Sequence, residues 1–111
     1  VMAGPLQMKT GSVAAKSRDP KSGSNANVWM GKTVDENPEL YALAGAHMQV
    51  SKGDSPIYFL VGEHDDPKRN QATPDALSFI GIANGLKVYK DGKHGCWNNH
   101  PWFTPIVDDM V

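Results

Sequence analysis

The chain has 111 residues, 11 Lys and Arg against 12 Asp and Glu, and 40% hydrophobic residues. That size bounds it to one domain with a modest core. Charges balance in both halves, so there is no basic stripe for nucleic acid and no polybasic cluster for a membrane surface, and the apolar runs stop short of a membrane span.

Val1-Met2-Ala3 opens the chain inside an apolar segment, and residues 1–8 read as a short strand ended by Gly4-Pro5. Because the closing Val111 falls within a helical pattern, the chain reads as a piece of a longer protein. Residues 9–37 are polar and rich in Ser, Gly, Asn and Lys, which predicts a long excursion with the island Val28-Trp29-Met30-Gly31 packed back onto the body. Asn37-Pro38-Glu39 starts a helix with proline at its first position, and Gly45 ends it.

From Ser55 onward the signals sharpen. Ser55-Pro56 leads into Ile57-Tyr58-Phe59-Leu60-Val61, an unbroken apolar run expected to be a strand buried on both faces. Thr73-Pro74-Asp75 reads as a helix opening, with a hydroxyl cap, a proline and an acid in the positive first turn. Ala76, Leu77, Ile80 and Ala83 follow at helical spacing, with Gly85 as the stop. Leu86-Lys87-Val88-Tyr89 is the next strand, near an edge. Strand, helix and strand in this order predict a right-handed βαβ unit with parallel strands. A last helix is expected from Pro101, with Trp102, Phe103, Ile106, Val107 and Met110 on its apolar side.

Parallel neighbours release their loops at the same sheet edge. The first strand breaks at Gly62-Glu63-His64-Asp65-Asp66 and the second at Gly92-Lys93-His94-Gly95, so a carboxylate and an imidazole 29 residues apart are predicted to meet. A carboxylate that accepts from one ring nitrogen fixes the tautomer and leaves the other nitrogen as a base. Asp66 falls one position later and is expected to face solvent. His64, His47 and His100 read as structural or exposed residues, and Arg69 as a surface or salt-bridging one. The bland alternative for Asp65 is a turn residue bonding its own backbone.

Residues 56–103 resemble the C-terminal part of an alpha/beta-hydrolase of the esterase, lipase and dienelactone-hydrolase type. Phe59-Leu60-Val61-Gly62-Glu63-His64-Asp65 is similar to that superfamily's strand ending in Gly-x-x-Asp, and Val88-Tyr89 with Gly92-Lys93-His94-Gly95 to its last strand and histidine loop. Ala3-Gly4-Pro5, Trp29-Met30-Gly31 and Glu39-Leu40-Tyr41 are similar to the strand after the nucleophile helix and to a cap segment; Gly45-Ala46 departs from the Ser-Pro of many relatives. The resemblance implies an α/β fold of about three parallel strands with flanking helices, a cap-like excursion over 9–54 and a βαβα unit over 55–111. It implies Asp65 as triad acid, His94 as base and a small-molecule ester as substrate, with no cofactor and no metal. Trp97 and Trp102 read as packing groups, and Trp97, close enough to His94 to line a pocket, is the candidate substrate contact.

Triad order in such enzymes runs Ser, Asp, His. None of the seven serines sits in Gly-x-Ser-x-Gly; the nearest approach, Gly53-Asp54-Ser55-Pro56-Ile57, lacks the second glycine and precedes a strand. The nucleophile is therefore expected upstream of Val1. Cys96, the single cysteine, has no elbow around it and reads as a small buried hydrophobe; with no second cysteine an internal disulfide is excluded. Two rival readings accompany the esterase: a metal site from His64, Asp65, Asp66 and His94, which lacks any His-x-x-x-His or Cys-x-x-Cys spacing, and a catalytically inert module. A parallel sheet with an unpaired edge invites self-association or a complementing chain.

Overall fold

The computed structural model describes residues 4–111 and shows a small α/β arrangement of short helices around a two-stranded parallel sheet. In chain order the elements are α1 (Gly11–Ser17), α2 (Asn25–Met30), α3 (Pro38–Ala44), a 3-10 turn (Ala46–Gln49), β1 (Ile57–Gly62), α4 (Ala72–Phe79), β2 (Asn84–Tyr89), a second 3-10 turn (Cys96–Asn98) and α5 (Phe103–Met110). No helix among the described residues is long and apolar enough to cross a membrane.

β1 and β2 pair in parallel from Ile57↔Asn84 to Gly62↔Tyr89, so both strands finish level and their loops leave side by side. Phe59 and Leu60 are successive and both buried, so β1 is covered on both faces only at its middle; Tyr58 is 50% exposed, and the exposed Leu86, Lys87 and Val88 leave β2 at an edge. Gly85 lies under the ring of Tyr58, in space that a Cβ would take.

About three strands were expected, and two are found among the described residues. Val1-Met2-Ala3 of the expected first strand lie outside them. From Gly4 onward the backbone bonds elsewhere: the Leu6 N–H donates to Asn70 Oδ1 (3.0 Å), the Asn70 amide donates to the Gly4 carbonyl (2.8 Å), and the His47 N–H donates to the Leu6 carbonyl (3.1 Å). A side chain and a turn occupy the groups that a ladder would need.

The helices follow local chemistry, with shifts at their ends. Asn37 caps α3 by accepting from the Leu40 N–H (3.1 Å), with Pro38 at the first position and Gly45 at the close. α4 begins earlier than its Thr-Pro signal, so Thr73 is a buried residue of the first turn and no cap; its Oγ1 has no hydrogen-bond partner. It also ends earlier, at Phe79. Gly81 adopts φ +81°, the Ile82 N–H reaches the Leu77 carbonyl (2.9 Å) and the Gly81 N–H the Ser78 carbonyl (3.1 Å), which is the Schellman arrangement. Gly81 rather than Gly85 is the stop, and Ala83 precedes the strand. α5 starts at Phe103, two residues after the proline expected to open it.

Two buried clusters hold these pieces. Leu60, Tyr89, Cys96 and Ile106 join the sheet to α5, with Trp97 and Trp102 partly buried against them. Asp109 on α5 reinforces that seam, accepting from the Tyr89 hydroxyl (2.6 Å) and pairing with Lys87 (3.0 Å). Ala14, Val34 and Tyr41 form the second cluster, joining α1 to α3. At its centre the wholly buried Ser17 donates to Asn27 Oδ1 (2.6 Å), accepts from the Val34 N–H (2.8 Å) and lies 2.8 Å from the Tyr41 hydroxyl, which reaches the Lys32 carbonyl at 2.9 Å. The polar stretch after residue 9 thus carries two short helices. Of the island at 28–31, only Met30 packs on the cluster; Val28 and Trp29 are 75% and 87% exposed.

Candidate acid–base site

The two loops beyond the sheet are fastened to each other by two main-chain bonds and one from main chain to side chain. The Glu63 N–H donates to the Tyr89 carbonyl (2.9 Å), the His64 N–H to the Gly92 carbonyl (2.8 Å), and the Asp91 N–H to Glu63 Oε2 (2.8 Å). The chains touch where Gly62 meets Gly92; a Cβ on Gly62 would collide with the Gly92 carbonyl oxygen and come within 2.6 Å of its carbon. A side chain at Gly62 would hold the loops apart, so glycine is demanded here by close approach. Two tight turns then aim the side chains. Asp65 follows a bond from its own N–H to the Gly62 carbonyl (3.0 Å), and His94 precedes Gly95, whose φ of +83° lets the chain turn into the second 3-10 segment.

Asp65 and His94 meet. His94 Nδ1 lies 2.9 Å from Asp65 Oδ2. A carboxylate can only accept, so Nδ1 carries the proton of the neutral ring and Nε2 keeps a lone pair. The Asp65 side chain is 4% exposed and that of His94 67%, which sets an enclosed acid behind an accessible imidazole. The other carboxylate oxygen, Oδ1, faces the Arg69 guanidinium at 3.5 Å. Trp97 meets the imidazole edge-to-face, with centroids 5.3 Å apart and planes at 77°.

His94 and Arg69 also line an open groove of about 1050 Å³, walled elsewhere by Met8, Val13, Lys16, Trp29 and Met30. The segment that brings Met8 to this wall is held by Asn70, five residues beyond Asp65. Trp97 sits against the ring and is absent from the groove's lining. Cys96 is 4% exposed, and burial, then the charge of Asp65, pushes its thiol pKa up, away from nucleophilic thiolate chemistry.

The remaining candidates are spread over the surface. Asp66 is exposed, with φ +49°; His64 lies 3.9 Å from Asp91; His100 stacks edge-on against Phe103 at 6.0 Å; His47 is half-buried in the first 3-10 turn. Among the described residues, one grouping brings metal-ligand types together: Glu63, His64 and Asp91, all exposed, with ligand atoms within 4.8 Å of one another. It shares only His64 with the four residues considered from the sequence. Asn70 and the Gly62–Gly92 contact carry no sequence signal, whereas Arg69, read as a surface or salt-bridging residue, pairs with Asp65.

Comparison of the chain with protein-family models, with curated proteins and with solved structures finds no match in any of the three.

Proposed function

We propose that the chain supplies the acid and base of a Ser-His-Asp carboxylic-ester hydrolase of the alpha/beta-hydrolase type, with the nucleophilic serine outside these 111 residues. The observation that carries this reading is the 2.9 Å contact between His94 Nδ1 and the enclosed Asp65, on loops leaving adjacent parallel strands. Asp65 holds the ring in the Nδ1–H tautomer and stabilises the imidazolium. His94, largely exposed and lining the groove, takes the serine proton on Nε2 as the hydroxyl attacks the ester carbonyl. The same proton then passes to the departing alkoxide, and water, deprotonated by His94, releases the acid from the acyl-serine. No cofactor or metal enters this sequence. The groove bordering His94 is the binding surface for a small-molecule ester.

The test reads the coding sequence before Val1 for a strand followed by Gly-x-Ser-x-Gly, and assays the polypeptide carrying both parts on a short-chain activated ester. Asp65→Asn is expected to lower kcat by roughly 10⁴-fold, because the amide enforces the wrong tautomer. An absent elbow, or a His94→Ala variant with unchanged kcat, overturns the proposal.

A second reading, an inert module that self-associates or receives a complementing chain, draws on exposed apolar residues: Phe79 at 90%, Trp29 at 87% and Val28 at 75%. Ester turnover of the polypeptide carrying both parts separates the two, since this reading requires no change on His94→Ala; it also requires a concentration-dependent rise in mass, or capture of a second chain, in sedimentation of the 111-residue chain.

A further inference from the structure

Asp65 has two carboxylate oxygens and two partners in different directions. Oδ2 meets the imidazole at 2.9 Å; Oδ1 faces Arg69 Nη2 at 3.5 Å. A carboxylate held by one oxygen alone rotates about its Cβ–Cγ bond, which swings the second oxygen through the plane of the ring. An ion pair at the second oxygen, made through the single nitrogen Nη2, favours one setting of that plane. Arg69 suits this task, because its planar fork constrains direction where an ammonium supplies only a point charge. The arginine is itself placed by the turn it belongs to, through the bond from its N–H to the Asp66 carbonyl (3.0 Å). Its neighbour Asn70 clamps the segment at Gly4 and Leu6, and Arg69 itself lines the groove.

We infer that Arg69 is a positioning residue for the acid–base pair: by engaging Asp65 Oδ1 it orients the carboxylate so that Oδ2 addresses His94 Nδ1. The inference rests on the reading of Asp65 and His94 as acid and base. Arg69 touches no reacting atom and acts through Asp65. Two effects of its charge must be separated from orientation. A nearby cation draws on the charge of Asp65 that would otherwise stabilise imidazolium, and it lends positive potential to the groove. Arg69→Lys keeps the charge and loses the fork; Arg69→Gln loses both.

The experiment uses the 111-residue chain labelled with ¹⁵N-histidine. Long-range nitrogen–proton correlation spectra read the ratio of Nδ1–H to Nε2–H tautomers of neutral His94, which global stability does not set. In the unsubstituted chain the Nδ1–H form is expected to dominate. Arg69→Gln is expected to move the ratio toward Nε2–H by roughly two- to fivefold, the worth of a partly exposed ion pair, and Arg69→Lys by less. Asp65→Asn, measured alongside, is expected to abolish the Nδ1–H preference. If it does while Arg69→Gln leaves the ratio unchanged, the positioning role is overturned and the acid–base pair stands. If Asp65→Asn also leaves the ratio unchanged, the pair itself falls and this inference with it. Should Arg69→Gln not fold, an Arg69→Lys ratio at or beyond twofold supports the role, and an unshifted one overturns it.

Discussion

Gly62→Ala is the substitution that reads most directly on how the site is built. Gly62 is the last residue of β1, paired with Tyr89, and its Cα lies against the Gly92 backbone. The added methyl would stand 2.6 Å from the Gly92 carbonyl carbon and 3.1 Å from the Lys93 oxygen, where ordinary contact begins near 3.4 Å. The Gly92 carbonyl, whose oxygen is nearer still, must therefore retreat by about 1 Å, and no side-chain rotation can absorb it, since all three near atoms are main chain. Retreat stretches the bonds that zip the loops, Glu63 N–H to Tyr89 and His64 N–H to Gly92. Overpacking of this kind costs about 1–3 kcal/mol of stability, and a shift near 1 Å at a catalytic group costs about 10²-fold in rate. Urea unfolding measures the first. The His94 tautomer ratio measures whether the Asp65 contact survives. Gly53→Ala is the control, because its Cβ meets nothing within 4 Å. A Gly62→Ala chain as stable as the Gly53→Ala chain, with its His94 tautomer unmoved, would refute the claim that this backbone approach sets the pair.

Three further outcomes follow from the same geometry. Ser17→Ala strands the buried Val34 N–H and breaks the link to Asn27 and Tyr41, so urea unfolding should show a loss of about 1–3 kcal/mol. Thr73→Val removes a buried hydroxyl that has no partner at nearly constant volume, and should leave stability equal or raise it by about 1 kcal/mol. The Tyr89 hydroxyl, and after it Lys87, hold Asp109 below its ordinary value of 3.8. A depressed folded-state value contributes stability above the unfolded-state value and loses it as pH falls through the folded one. Thermal unfolding between neutral pH and pH values below 3.8 should therefore fall less steeply for Asp109→Asn than for the unsubstituted chain.

Legibility in the sequence followed the range of the interaction. Asn37-Pro38 announced α3 because a cap acts within one turn. The apolar run at 57–61 and the edge character of β2 were likewise readable, since burial patterns are written residue by residue. Where two local signals competed, tertiary context chose: Thr73 looked like a cap but is drawn inside as a buried first-turn residue, and Gly81 took the helix stop that Gly85 was expected to supply. At 28–31 the apolar letters alone did not reveal which would be exposed, because a six-residue helix turns Val28 and Trp29 outward while Met30 faces the cluster.

For the candidate site, the order of strand, loop, helix, strand and loop was enough to bring Asp65 and His94 to one sheet edge. That follows because a helical crossover, here α4, makes neighbouring strands parallel and their exits coincide. Three things came only with the fold: the burial of Asp65, the claim of Arg69 on its second oxygen, and the Gly62–Gly92 approach that sets the distance between the loops. Each depends on atoms far apart along the chain and on separations of a few tenths of an ångström. Residue type and spacing do not encode these, and close contact between folded segments does.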